Sequence, residues 1–241
     1  MNIADSCVFV TGGQRGIGRA LVNEFVSRGA AKVYATARTP QPSEHPRVVS
    51  LPLDVTDASS VAAAAAQAPD TTIVVNNAGI TDLSPLIDVD IDVARDIFET
   101  NVFGALRVAQ QFAPILAKNG GGALIDISSI MAWAARGAAY GASKAALWSM
   151  TNNLRSELAG QHTLVVGVHL SYVDTDMSRA LDRKKLDVHT AAVRIVDGIA
   201  DGATEILVDE DTRRAKARLC GPVEGLAFQI VDGRIVYAKA T

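Results

Sequence analysis

The 241-residue chain predicts one doubly wound α/β domain, a parallel sheet with helices on both faces. Three observations predict it. An apolar run near the N-terminus passes through a glycine-rich turn into a helical pattern. Further apolar runs alternate with helical patterns, with no linker and no short-period repeat. The runs are continuous rather than alternating, as strands covered on both faces require. A composition of 49% hydrophobic and 20% charged residues suits a large core, so residues 1–241 are read as one domain.

The first run is Cys7 to Thr11, followed by Gly12-Gly13-Gln14-Arg15-Gly16-Ile17-Gly18. Ile17, Leu21 and Phe25 then recur at helical spacing up to Gly29, a C-terminal capping glycine. Glycines at a strand-to-helix junction let a backbone approach a pyrophosphate, whose charge meets the free N–H groups of the helix start. A second strand spans Lys32 to Ala37. Where dinucleotide-binding folds commonly carry an acid for the ribose hydroxyl, the chain has Ala37-Arg38, with Arg15 in the glycine turn. Two guanidiniums and no carboxylate suit a 2′-phosphate, so NADP is expected over NAD, although either arginine could be an ordinary surface charge.

Val48 to Leu53 is the third strand, followed by Asp54-Val55, with Thr56 or Asp57 as the cap of an alanine-rich helix. Thr72 to Val75 is the fourth, ending in Asn76-Asn77-Ala78-Gly79. A long helical pattern from Val93 to Lys118 contains Asn101, and Gly120-Gly121-Gly122 ends it before a fifth strand, Ala123 to Ile127. Ser128-Ser129 follow at that strand's C-terminal end, where open parallel sheets place ligands. Tyr140 to Leu158 is a helix and Leu164 to Leu170 the sixth strand. Residues 171–187, without periodicity, are read as a substrate loop. A helix spans Val188 to Ile199, and Phe228 to Val231 with Ile235 to Tyr237 is the candidate last edge strand.

Tyr140 and Lys144 are one turn apart on one helix face. An ammonium beside a phenol favours phenolate, which would lower the tyrosine pKa and let it exchange a proton with a substrate oxygen. Such a pair also arises by chance in helices, and its context carries the weight.

The motifs Thr11-Gly12-x-x-x-Gly16-x-Gly18, Asn76-Asn77-Ala78-Gly79, Asn101, Ser129, Tyr140-x-x-x-Lys144 and Val173-x-Thr175 occur in order over about residues 4–180. In this the chain resembles the short-chain dehydrogenase/reductase family, close to its NADP-preferring carbonyl reductases. The resemblance implies a Rossmann-type fold and hydride transfer with a nicotinamide cofactor. It makes Tyr140 the general acid or base, and Lys144 the group that lowers its pKa and holds the nicotinamide ribose. Ser129 would bond the substrate oxygen, and Asn101 would order a water linking Lys144 to solvent. Gly12, Gln14, Gly16, Ile17 and Gly18 would hold the pyrophosphate region. Asp54 and Val55 would hold the adenine, Asn77, Ala78 and Gly79 the adenosine ribose region, and Val173 and Thr175 the carboxamide end. Arg15 and Arg38 match the basic positions of the NADP-preferring members.

Two departures stand out. Ser129 precedes Tyr140 by eleven residues, about two fewer than usual, which leaves Ser128 as a secondary candidate. Leu170-Ser171 also replaces the usual Pro-Gly after the sixth strand. Met131, Trp133, Leu170, Tyr172 and Met177 are expected near the substrate, although such residues are as readily core, and point to a small or medium, largely apolar ketone or aldehyde. His169 is read as structural. An NAD-dependent alcohol dehydrogenase is the alternative function. A cofactor-sensing protein without chemistry is opposed by retention of Tyr140 and Lys144.

The net charge of −3 gives no reason to expect nucleic acid or an anionic membrane as partner, and no metal site is read. Cys7 and Cys220 are expected as buried free thiols. No basic-then-apolar leader and no run of about 18 apolar residues occurs, predicting a cytoplasmic protein. The helices over Val93–Lys118 and Tyr140–Leu158 are rich in small and apolar residues, from which a homodimer or homotetramer is expected.

Overall fold

In the computed structural model, which describes residues 1–237, seven strands form one parallel sheet. They are β1 (Cys7–Val10), β2 (Lys32–Ala37), β3 (Val48–Pro52), β4 (Ile73–Asn76), β5 (Ala123–Ile127), β6 (Leu164–His169) and β7 (Glu205–Leu207). Their spatial order is β3-β2-β1-β4-β5-β6-β7. The order reverses between β1 and β4, where Val8 pairs with both Val33 and Ile73. A crevice opens at such a reversal, beyond the strands' C-terminal ends.

The continuous apolar strands are buried on both faces by helices. Phe25 of α1 (Gly16–Ser27) and Ile195 of α6 (Val188–Ala200) share one core layer with Val8, Ile73 and Val166. On the other face Ala64 of α2 (Ala58–Gln67), Phe112 of α4 (Ala105–Lys118) and Leu154 of α5 (Ala138–Glu157) cover Phe9, Val74 and Leu124. The Phe9 and Phe112 rings lie 4.4 Å apart between centres. Asp57 proves to be the cap of α2, its carboxylate accepting from the Ser59 N–H. Asp90 caps α3 (Ile91–Phe98) and Asp187 caps α6 in the same manner. A π-helical turn, Glu99–Gly104, joins α3 to α4, so the predicted long helix exists as one run with a bulge. Gly29, at φ +87°, ends α1 as predicted: its N–H bonds Val26 O and the next N–H, of Ala30, bonds Phe25 O.

Three expectations are corrected. The last sheet strand is β7, not a segment near residue 230. Phe228–Val231 (β8) and Arg234–Tyr237 (β9) form a separate antiparallel hairpin around Asp232-Gly233. That hairpin packs, through Phe228 and Ile235, on a third apolar cluster around Ile130 to Ala134, together with Ala215 of α7 (Glu210–Ala217). Cys220 is exposed and Cys7 half-buried, both as free thiols, because Leu219 rather than Cys220 packs against that cluster. Among the described residues no helix is long and apolar enough to cross a membrane.

Gly120, Gly121 and Gly122 carry α4 into β5 at φ +92°, +106° and +66°. A Cβ at Gly122 would lie 2.1 Å from Thr72 O, whereas one at Gly120 meets nothing within 4 Å. Gly120→Ala is therefore expected to cost about 1–2 kcal/mol for backbone conformation alone. Gly122→Ala should cost clearly more, as read by urea unfolding; equal losses would contradict the close contact.

Candidate active site

The glycine turn is built for an anion. A Cβ at Gly18 would lie 2.1 Å from Gly12 O and 2.6 Å from Asn77 Nδ2. α1 begins at Arg15 without a side-chain cap and has no acid in its first turn, unlike the aspartate-capped helices. Its first N–H groups are thus left for a ligand, which fits a dinucleotide pyrophosphate. Thr11 locks the turn to β4. Its Oγ1 accepts from the N–H groups of Asn77 and Ala78, both at 2.9 Å, and Asn77 Nδ2 returns to Thr11 O at 2.9 Å. The Thr175 methyl carbon lies 3.5 Å from where a Gly16 Cβ would stand, so the loop after β6 reaches over the turn. Arg15 and Arg38 are both exposed at this end. Arg38 acts on Asp54, whose carboxyl is held below its usual pKa chiefly by the Thr56 hydroxyl and N–H. Val55 is buried against Gly104.

Gln14 is placed differently from expectation. Its side chain clamps residue 41, with Nε2 donating to Gln41 O at 2.7 Å and Oε1 accepting from Gln41 N at 2.8 Å. The clamp fixes the loop that follows Arg38.

At the C-terminal end of β5 the two serines part. Ser128 Oγ donates to Lys144 O at 3.4 Å and so faces α5. Ser129 Oγ accepts from Met131 N at 3.1 Å, and its hydroxyl draws the Tyr140 phenol pKa down. The short connection between Ser129 and Tyr140 is accommodated by Arg136 and Ala138 at φ +85° and +49°, on either side of Gly137. Left-handed non-glycine residues are uncommon, and two so close together mark local strain beside the site.

Burial dominates the electrostatics. The Tyr140 phenol is pushed up to about 12, first by desolvation, with the Ser129 hydroxyl pulling down and Tyr172 pushing up. This corrects the expectation of a lowered phenol. Lys144 Nζ stands 5.7 Å from the tyrosine ring centre and donates to Ile127 O at 2.8 Å, so its charge is turned toward the strand. Lys144 itself is lowered to about 8 by desolvation, opposed by Asp126. Asp126, wholly buried, accepts from Asn76 Nδ2 at 2.9 Å and from Thr151 Oγ1 at 2.7 Å, and its carboxyl is raised by burial. Sequence reasoning missed Asp126; the signal was an acid inside the apolar run Ala123–Ile127.

Asn101 sits in the π-helical turn with its side chain fully used. Oδ1 accepts from Ile80 N at 2.9 Å, and Nδ2 donates to Ile80 O and Ser143 Oγ, both at 3.0 Å. A Cβ on Gly79 would lie 3.1 Å from Asn101 Oδ1 and 3.8 Å from Lys144 Nζ. Asn101 therefore positions the Gly79–Ile80 backbone beside the lysine, and its side chain has no donor left over for a water.

The expected pocket residues divide. Trp133 is core: it stacks on His169 at 4.0 Å and meets Trp148 edge-on at 6.0 Å. Leu170 and Val173 are buried in the α1–α6 layer. The outward-reading sequence positions turn inward because β6 is covered on both faces to its end. Met131 is buried beside Gly137 and Gly141. Tyr172 neighbours Tyr140, and Met177 is half exposed in a short turn, Asp176–Ser178. Ser171, at the place of the usual glycine, is held by its N–H to Asp209 Oδ2 at 2.8 Å, and Asp209 also caps α7.

A family model described as short chain dehydrogenase matches residues 6–186. A short-chain dehydrogenase of Aspergillus ruber is 36% identical over 179 residues, 70% of this chain; the chain covers 62% of that longer protein. The 3-oxoacyl-(acyl-carrier-protein) reductase of Escherichia coli is 33% identical over 193 residues, 75% of this chain and 79% of that protein. A crystal structure of a short chain dehydrogenase from Burkholderia cenocepacia in complex with NADP is 36% identical, with a TM-score of 0.86 over 91% of this chain and 94% of that one.

His169 beneath Ser129 makes an acid test of this packing. Its Nδ1 lies 3.4 Å from Ser129 O, and burial lowers its pKa to about 3. A depressed folded pKa means the unfolded chain binds the proton first, so stability is lost as pH falls from about 6.5 toward 3. His169→Gln is expected to flatten this acid loss by up to about 1.4 kcal/mol per pH unit in urea unfolding. An unchanged pH slope would contradict a neutral, buried imidazole.

Proposed function

The chain belongs to the short-chain dehydrogenase family, and within it we propose an NADPH-dependent carbonyl reductase of a small or medium ketone or aldehyde. One observation carries this reading: a half-buried Tyr140 phenol, raised by desolvation and drawn on by the Ser129 hydroxyl, on the helix that carries Lys144 and with the uncapped glycine turn in the same sheet crevice. A phenol held protonated donates to a developing alkoxide, and the Ser129 hydroxyl stabilises the same oxygen. Lys144, held near Gly79, meets the ribose side, and the proton that Tyr140 gives up is returned to the phenoxide by way of the lysine from solvent. Gly12, Gly16, Ile17 and Gly18 cradle the pyrophosphate, Asn77 to Gly79 line the ribose, and Thr175 meets the carboxamide end. The nicotinamide cofactor, when bound, supplies the hydride. The reverse reaction uses the same groups with Tyr140 as base.

NADP preference is read from exposed Arg15 and Arg38 where no carboxylate follows β2, and the likeness to an NADP-bound relative supports it. We also propose a cytoplasmic homodimer or homotetramer. Exposed Leu86, Ile87, Ile91 and Phe103 beside the helical run from Ile91 to Lys118 support association.

Tyr140→Phe is expected to cut NADPH oxidation with a ketone by at least about 100-fold, leaving the dissociation constant for NADPH unchanged in fluorescence titration. Near-normal turnover would overturn the assignment. Arg15→Ala and Arg38→Ala are each expected to weaken NADPH binding about tenfold without affecting NADH. Equal binding of both cofactors by the wild type would favour an NAD-linked alcohol dehydrogenase.

A further inference from the structure

Arg183, in the segment between β6 and α6, carries a guanidinium whose Nε and Nη1 atoms are buried without a hydrogen-bond partner among the described residues. Its Cζ lies 3.9 Å from the centre of the Tyr172 ring, and its charge pulls the Tyr172 phenol pKa down against the rise from burial. The Tyr237 hydroxyl of β9 is also buried and unpartnered, and its ring is covered by Arg218, with Cζ 4.4 Å from the ring centre. Tyr172 acts electrostatically on both Tyr140 and Tyr237, so the three phenols are neighbours. The hairpin turn closes this region: Lys184 N donates to Gly233 O at 3.3 Å.

The Arg183 orphans are donors only, and the Tyr237 hydroxyl is a donor as well as an acceptor. Buried cations are normally paired and buried donors normally bonded, because an unmet one costs desolvation without return. Three neighbouring basic groups already have carboxylate partners. Arg179 pairs with Asp176, Lys185 lies 3.8 Å from Asp174, and Arg214 lies 3.6 Å from Glu210. Among the described residues no carboxylate pairs with Arg183. A planar guanidinium fork matches a carboxylate two-prongedly. Arg183 with Arg218 over Tyr237, set against Asp211 near the two outer phenols, leaves a small positive balance that suits a monoanion rather than a dianionic phosphate.

We propose that Arg183, with the Tyr237 hydroxyl, recognises a carboxylate on the substrate, making the substrate class oxo acids (hydroxy acids in the reverse direction). The proposal rests on the carbonyl-reductase reading of Tyr140. The carboxylate itself takes no part in the reaction; it fixes the carbonyl relative to Tyr140 and Ser129.

The test titrates the protein, with and without NADP, with pyruvate, acetoacetate and levulinate, each against its methyl ester, reading the shift of the thermal midpoint. At least one acid is expected to bind at least about tenfold tighter than its ester. Arg183→Gln should abolish that preference, and Tyr237→Phe should weaken it. Equal binding of acid and ester, no binding of any acid, or a preference that survives Arg183→Gln would overturn the proposal. Should Arg183→Gln fail to fold, Arg183→Lys keeps the charge and loses the fork; an undiminished preference there is equally contrary. NADPH oxidation separates the two claims. Esters turned over without acid preference would remove the anion site and keep the reductase. Acids bound through Arg183 without turnover of acid or ester would keep the site and remove the reductase.

Discussion

The site depends on an ammonium buried against a strand. Lys144 lies on α5 against β5, with Ile127 O as its one hydrogen-bond acceptor and Asp126 behind it. Desolvation disfavours the charged form of any group, so the same burial drives the lysine down and the neighbouring phenol up. Tyr140 therefore rests neutral with its proton held, whereas Lys144 stays mostly charged and titrates close to physiological pH. The surrounding structure exists to keep this arrangement dry and fixed. Asn76 and Thr151 satisfy Asp126, Asn101 holds the backbone at Gly79–Ile80, and Ser128 ties β5 to α5.

The second constraint is close approach at the glycine turn. Gly18 has no room for a Cβ, and Thr11 with Asn77 binds the turn to β4 across the point where the sheet order reverses. Cofactor end and chemical end are thereby joined through two adjacent strands, and the loop after β6 closes on both through Thr175 and Tyr172. The C-terminal hairpin adds a third layer over Ile130 to Ala134, which is why the short Ser129–Tyr140 connection can hold two left-handed residues.

Much of this was readable in residues alone. Strands buried on both faces announce themselves as apolar runs, so β2 and β5 fall where the sequence places them. Asp57 and Gly29 end their helices by chemistry that is local. What failed to read was non-local. β7 has only three residues and lacks a distinct run. The segment 228–237 looks like strand, yet its partner is itself rather than the sheet. Trp133 and Leu170 sit at the right place in the chain but face the core, since side-chain direction there is set by α7, the hairpin and the α1–α6 layer. Gln14 and Asn101 are consumed by backbone partners that lie 27 and 21 residues away. The phenol pKa reversed because desolvation outweighs a lysine one turn away whose charge points to Ile127 O.

The burial of Lys144 is the claim on which the rest stands, and its titration tests it most directly. Side-chain NMR of lysine-labelled protein, assigned with Lys144→Met, reports that pKa without turnover or cofactor. A midpoint near 8 is expected, shifted lower still in Asp126→Asn. A midpoint at the ordinary lysine value of 10.5 would mean that the ammonium is solvated and that burial does not set the chemistry of this site.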